Sequence, residues 1–173
     1  MYSRAKIAGH PIHPALVAFP VAFYVSTLVS LIVFEVNLDP FWYHVAAWTG
    51  LAGVVMGAVA AVPGLIDLLS IPAHTRARQT GIAHALLNVV TLLLFLIATI
   101  SLWRHWDDVA RLGLHAGVAL ACSAIGAVSL MAAGFLGWRL VQTFHVGVQD
   151  GVEADRLPET SGGVGGPLHH HPR

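Results

Sequence analysis

The sequence predicts an all-α integral membrane protein, a four-helix bundle whose helices cross the bilayer up-down-up-down. Hydrophobic residues make up 56% of its 173 residues and charged residues only 10%, whereas a soluble domain carries about 25% charged residues. A chain this apolar would aggregate in water, but lipid solvates it well. The net charge is zero and there is no basic stripe or binding motif, which excludes nucleic acid as a partner. The partner that the composition predicts is the lipid bilayer.

Four segments are long enough to cross the hydrocarbon layer, which takes about 20 apolar residues in helical form. They run over approximately residues 15–36, 44–69, 82–103 and 114–141. The links between them carry residues that end helices: Asn37 to Pro40, then Pro72, then the charged stretch from Arg104 to Arg111. Aromatic rings lie near the predicted helix ends, where amphipathic side chains meet the lipid headgroups. These are Trp42, Tyr43, Trp103, Trp106 and Trp138.

The first segment is predicted to be retained rather than cleaved as a signal peptide. Its apolar run is too long, and residues 34–37 (FEVN) offer no pair of small residues for cleavage. Lysine and arginine in short loops mark the cytoplasmic side. The richer side carries Arg4, Lys6, Arg76, Arg78 and Arg139. Residues 1–141 are therefore predicted to be one transmembrane domain with both termini cytoplasmic, and residues 142–173 a polar, disordered cytoplasmic tail.

Histidines recur at matching intervals near the ends of the predicted helices. His13 to His44 spans 31 residues, and so does His84 to His115. A shift of 71 residues therefore superimposes histidines of the first predicted hairpin on those of the second. The superimposed pairs are His13/His84, His44/His115 and His74/His145. Because the shift spans two helices, it predicts a parallel two-hairpin repeat with an axis along the membrane normal.

The repeat predicts two pairs of facing imidazoles. In an up-down bundle, helices 1 and 3 are diagonal, as are helices 2 and 4. His13 then faces His84 near the cytoplasmic side, and His44 faces His115 near the other. Two diagonal imidazoles can hold a planar macrocycle by axial ligation, so these four residues are candidate ligands of haem b. A single histidine at a helix end more often caps a helix or binds a loop carbonyl; for the paired set, ligation and a structural role both stay open.

Three short sequence boxes resemble a known family. Residues 9–14 read GHPIHP ahead of an apolar helix, residues 63–67 read PGLID, and residues 84–88 read HALLN. Over residues 8–141, these boxes are similar to the bacterial membrane family called domain of unknown function 2231 (DUF2231). The chain has Ala18-Phe19-Pro20 where many relatives have His-Phe-Pro. The resemblance implies a multi-pass protein of the bacterial inner membrane, and the iron–sulfur domains joined to some relatives imply a role in electron transfer.

An alternative site is predicted at the same cytoplasmic end. Asp67 is the only acidic residue well inside a predicted span, and such residues usually have a partner. With His10, His13 and His84 it would offer imidazole and carboxylate ligands suited to a divalent metal such as zinc, copper or iron. A network of salt bridges and caps is the structural alternative for the same residues.

Three functions therefore compete. The leading hypothesis is a bis-histidine haem protein that passes electrons in the membrane, with an iron–sulfur or other redox protein as its partner. The second is the divalent-metal or ion site, and the third is a non-catalytic scaffold or subunit without cofactor, with oligomerisation open in each case. No enzyme is predicted, since the sequence lacks a phosphate loop, a nucleophile elbow and HExxH. The single cysteine, Cys122, excludes an intrachain disulfide.

Overall fold

The computed structural model describes residues 5–7, 10–108 and 116–147 of the chain. A hairpin of two short antiparallel strands, β1 (Lys6–Ile7) and β2 (His10–Pro11), precedes the helices. The helices of the described residues are α1 (Ile12–Leu16), α2 (Ala18–Asn37), α3 (Pro40–Ser70), α4 (Arg76–Arg104) and α5 (Gly117–Gln142). Only Val17 separates α1 from α2, so the two form one span.

The four spans form the all-α membrane bundle that the sequence predicts. Each is long and apolar enough to cross a bilayer. Helix α2 packs against α3 and α5, and α4 packs against the same two helices, so α2 and α4 lie on one diagonal of the bundle. The outer surface consists of large apolar side chains such as Val62, Met131 and Phe135. Since water would disfavour such a surface, this is the face that contacts lipid.

Two helices begin earlier than their hydropathy predicts, because polar caps define their first turns. Asp39 accepts a hydrogen bond from the backbone N–H of Phe41 at 2.9 Å, which starts α3 at Pro40. The Thr75 hydroxyl accepts one from the N–H of Arg78 at 3.1 Å. Helix α4 therefore starts at Arg76, six residues before the predicted boundary at residue 82. Of the predicted tail, residues 142–147 are described and the rest lies outside the described residues.

The two hairpins repeat each other in their buried positions. In α2, Pro20, Tyr24 and Leu31 are buried, and so are the residues 71 positions later in α4, which are Thr91, Phe95 and Leu102. In α3, Ala46, Gly53 and Ala60 are buried, and so are the residues 73 positions later in α5, which are Ala119, Gly126 and Ala133. The same helix faces thus form the core in both halves, as expected of a parallel repeat.

The repeat corrects one detail of the predicted histidine alignment. The shift of 71 residues relates α2 to α4, but α3 and α5 are related by 73 residues. The longer shift follows from the longer connection between α4 and α5. His44 therefore corresponds to Gly117 rather than to His115, and His115 itself lies outside the described residues.

An aromatic stack fills the centre of the bundle. The rings of Tyr24 and Phe95 lie across the diagonal with centroids 4.0 Å apart and planes 19° apart. Each ring rests on a glycine of the next helix. A Cβ on Gly53 would stand 2.7 Å from the Tyr24 ring, and one on Gly126 would stand 2.8 Å from the Phe95 ring. Only glycine at these two positions lets both rings reach the bundle axis.

Two buried tyrosines offer a matched comparison, because both are 3% exposed and only one has a hydrogen bond within the described residues. The Tyr43 hydroxyl donates to the Leu102 carbonyl at 2.9 Å, whereas the Tyr24 hydroxyl has no such partner. We expect Tyr43→Phe to lower the free energy of unfolding by about 1 kcal/mol. Tyr24→Phe should leave it unchanged or raise it, since the variant no longer buries an unpaired hydroxyl. Thermal unfolding in detergent measures both, and a larger loss for Tyr24→Phe would contradict the hydrogen-bond assignment.

Candidate functional site

Two histidines from diagonal helices meet at one end of the bundle. His13 lies on α1, and His84 lies on α4 about two turns after its start at Arg76. Their ring centroids are 6.4 Å apart and their planes are perpendicular, at 89°. Pro11 has extended backbone and is the last residue before α1, and Pro14 directly follows His13, so the two prolines fix the entry of the chain into the first span. We call these two residues the histidine pair.

Each imidazole of the histidine pair is anchored in the same way by the neighbouring helix. The Nδ1 of His13 lies 2.9 Å from the Ala60 carbonyl oxygen, and the Nδ1 of His84 lies 2.8 Å from that of Ala133. Since a carbonyl only accepts, Nδ1 carries the proton in both rings and donates it. In a neutral imidazole this leaves the lone pair on Nε2. Both side chains therefore present the nitrogen that metals bind, in a fixed tautomer.

A glycine one helical turn beyond each anchoring alanine makes room for the ring. A Cβ on Gly64 would stand 2.8 Å from the His13 imidazole, and one on Gly137 would stand 3.0 Å from the His84 imidazole. The spacing from alanine to glycine is four residues in both helices. The carbonyl anchor and the glycine seat thus form one arrangement that occurs twice, once in each half of the bundle.

Asn88 makes the two halves of the histidine pair unequal. Its amide nitrogen donates to the His84 carbonyl at 2.8 Å and lies 3.2 Å from Nε2 of the same histidine. The residue 71 positions earlier, beside His13, is Val17, whose side chain has no donor. Before Nε2 of His84 can bind a metal, the Asn88 amide has to turn away from it. Nε2 of His13 has no such competitor from that position.

The alternative ligand set is only partly within the described residues. The Asp67 carboxylate accepts a hydrogen bond from the Ala5 N–H at 3.2 Å, and the Ala5 carbonyl accepts one from Ile12 at 3.0 Å. Asp67 thereby ties the N-terminal hairpin to the end of α3. Among the described side chains, no three histidines, cysteines or carboxylates are grouped as a metal site. The side chain of His10 lies outside that part, so the set of His10, His13, Asp67 and His84 stays a prediction.

The other end of the bundle is an aromatic cluster. His44 packs against Trp106 with ring centroids 4.1 Å apart and planes tilted by 33°, and its Nε2 lies 3.3 Å from the Trp106 carbonyl oxygen. Trp106 in turn stacks on Trp103 at 4.8 Å, and the Trp103 indole donates to the Ala47 carbonyl at 3.3 Å. The contacts of His44 are therefore with aromatic rings and backbone. Since His115 lies outside the described residues, the pairing of His44 with His115 stays a prediction.

Sequence reasoning missed the residues that hold the imidazoles in the second half. Ala133 and Gly137 were not singled out, although they repeat Ala60 and Gly64 at a distance of 73 residues. The signal was present but needed a shift different from the 71 residues between the histidines. When α3 is aligned with α5 by 73 residues, instead of the 71 that relate α2 to α4, the same alanine–glycine spacing occurs in both halves.

Comparison with known proteins supports the membrane assignment. A family model described as a predicted membrane protein, DUF2231, matches residues 9–150. The matched range includes both members of the histidine pair and all four spans. No curated protein and no solved structure matches the chain.

Proposed function

Since this chain belongs to the DUF2231 family of predicted membrane proteins, we propose from its site that the histidine pair binds one b-type haem through both imidazoles. The observation that carries the proposal is the approach of two imidazoles with the same tautomer across the bundle diagonal. Their centroids are 6.4 Å apart, and each Nδ1 is bound to a backbone carbonyl. Backbone anchoring of the distal nitrogen is the usual support of a histidine that ligates a metal.

The separation of the rings suits a single metal ion between them. A metal–imidazole bond is roughly 2 Å long, and the ring centroid lies about 1 Å behind the bonding nitrogen. Two imidazoles on opposite sides of one metal therefore have centroids roughly 6 Å apart. The observed 6.4 Å agrees with that figure.

The number of protein ligands favours haem over a bare divalent ion. Protein sites for zinc, copper or iron ions usually supply three or four side chains. The described side chains bring together two imidazoles, with no group of three ligands. Two are enough for haem, because the macrocycle supplies the remaining nitrogens. A bound haem would supply reversible one-electron chemistry, while the chain holds it, excludes water and sets its electrostatic surroundings.

The proposal places the protein in the bacterial inner membrane with both termini cytoplasmic. The end with the histidine pair also carries Arg76, Arg78 and Arg139, whereas the aromatic end carries Asp107 and Asp108 beside Arg104. The histidine pair then lies near the cytoplasmic surface, where an iron–sulfur or other redox protein can exchange electrons with it. His44 and His115 remain the candidate ligands of a second haem, for which His44 has to exchange its bond to Trp106 for the metal.

An absorption spectrum of the detergent-purified protein, recorded oxidised and then reduced, tests the proposal. The protein is expressed with added haem precursor so that supply does not limit loading. We expect sharp reduced bands of low-spin haem, with about one haem per chain by the pyridine haemochrome assay if only the histidine pair binds it. A colourless, metal-free protein under the same conditions would overturn the proposal and leave the scaffold function. Bound metal without haem would favour the divalent-metal site instead.

A further inference from the structure

The side chain of Asn88 occupies the metal-binding nitrogen of one histidine of the pair. Its amide nitrogen donates to the His84 carbonyl at 2.8 Å and lies 3.2 Å from Nε2 of the same residue. An amide nitrogen carries two hydrogens, so it can serve both acceptors at once. The opposite orientation would turn the amide oxygen towards the same two acceptors, so the nitrogen is the atom that faces them. Nε2 of His84 is therefore already hydrogen-bonded within the protein.

The first half of the bundle has the same backbone position with a different side chain. Asn88 follows His84 by four residues in α4, and Val17 follows His13 by four residues. The backbone from His13 to Val17 is helical as well, since the Val17 N–H donates to the His13 carbonyl at 3.1 Å. Among the described residues, Nε2 of His13 has no hydrogen-bond partner. The hydrogen bond to Nε2 therefore sets His84 apart from His13, although both rings share the carbonyl anchor and the glycine seat.

A lone pair that already accepts a hydrogen bond is less available to a metal. Before Nε2 of His84 can bind, it has to give up the Asn88 amide, and the released N–H is then left in the bundle without that acceptor. A lost hydrogen bond of this kind changes an equilibrium constant about tenfold. Nε2 of His13 has no such bond to lose. The two imidazoles thus have equivalent backbone supports but unequal affinity for a metal.

We propose that His13 is the first ligand of the site and that Asn88 holds His84 in reserve as the second. This inference rests on the proposed function, and it adds the order in which the two imidazoles engage a metalloporphyrin. A metal that takes a single axial ligand binds His13. A metal that takes two also draws Nε2 of His84 away from the Asn88 amide. Asn88 contacts His84 rather than the porphyrin, so it is a positioning residue.

Zinc protoporphyrin IX is the probe that tests this order, because its zinc is bound by the ring nitrogens and takes one further axial ligand. Fluorescence titration of the full-length, haem-free protein in detergent measures its affinity. We expect His13→Ala to weaken binding about tenfold, because only the hydrogen-bonded Nε2 of His84 remains. His84→Ala should bind the probe like the wild type. Equal losses in the two variants, or a larger loss in His84→Ala, would overturn the inference.

Exchanging two side chains separates the role of Asn88 from damage to the fold. The double variant Val17→Asn/Asn88→Val keeps both histidines and places the amide about one turn after His13. In this background the order should reverse, so that His84→Ala weakens binding of zinc protoporphyrin about tenfold and His13→Ala leaves it unchanged. An unchanged order in the exchanged protein would overturn the role of Asn88.

A haem spectrum of the wild type distinguishes failure of this order from failure of the proposed function. If the wild type shows low-spin haem but His13→Ala and His84→Ala lose zinc protoporphyrin equally, both imidazoles ligate and the order is wrong. If the wild type binds neither haem nor zinc protoporphyrin, the proposed function is wrong and the order of ligation is wrong with it.

Discussion

Replacing His84 by alanine is expected to abolish haem binding at the histidine pair, and replacing His13 should do the same. Each variant removes one of two axial ligands, and it leaves the anchoring carbonyl of Ala133 or Ala60 without its donor. The remaining imidazole cannot hold a low-spin iron alone. The measurement is the reduced absorption spectrum together with haem per chain. In a protein with haem at this site only, the spectrum of either variant should be lost or become that of a high-spin, weakly held haem.

Two control variants separate ligation from damage to the fold. His105→Ala removes an exposed histidine of the aromatic end, whose Nδ1 binds the Ser101 carbonyl at 2.9 Å, so haem content should stay unchanged. Asn88→Leu removes the amide that lies 3.2 Å from Nε2 of His84. If that nitrogen binds iron, the Asn88 variant keeps its haem, since the competing donor is gone. Full haem content in both His13→Ala and His84→Ala would rule out ligation by the pair.

The fold follows from the sequence because a membrane span is set by length and polarity. A backbone in hydrocarbon has to satisfy its own hydrogen bonds, so an apolar run of sufficient length has to be helical. Hydropathy therefore found all four spans. It did not find where α4 begins, because the first turn from Arg76 is polar and its start depends on the Thr75 cap. Hydropathy indicates which residues lie in the hydrocarbon layer, whereas the residue at which a helix begins depends on a local capping hydrogen bond.

The site was predictable in part for a different reason. The facing of His13 and His84 follows from their spacing, since a parallel repeat places equivalent residues across the diagonal of a bundle. The anchors of the two rings did not follow. Carbonyls of Ala60 and Ala133 have no side-chain signature, and their positions depend on how far each helix slides along its neighbour. Helices α3 and α5 are related by 73 residues, whereas α2 and α4 are related by 71. The intervals between the histidines give only the shift of 71 residues, so they do not predict which carbonyl each ring meets.

The largest expected effect on stability comes from Gly126→Leu at the central stack. Gly126 is buried in α5, and a Cβ there would already stand 2.8 Å from the Phe95 ring. That ring has little room to move, because it is fully buried and the Tyr24 ring stacks on it at 4.0 Å. A leucine therefore forces α4 and α5 apart or expels the ring from the axis. We expect a loss of about 3 kcal/mol or more in the free energy of unfolding, the upper range for overpacked cores. Thermal unfolding in detergent measures it.

Gly134→Leu is the matched control, since the same substitution is made two turns later on the same helix. Gly134 is exposed, and a Cβ there would meet nothing within 4 Å. Leucine is also the better helix former by roughly 0.8 kcal/mol, so this variant should be as stable as the wild type or more so. A second control tests the cause: adding Phe95→Ala to Gly126→Leu should restore part of the lost stability, because the two residues compete for one volume. If the double variant is instead less stable than Gly126→Leu by the full cost of Phe95→Ala, the clash with the Phe95 ring is not the cause.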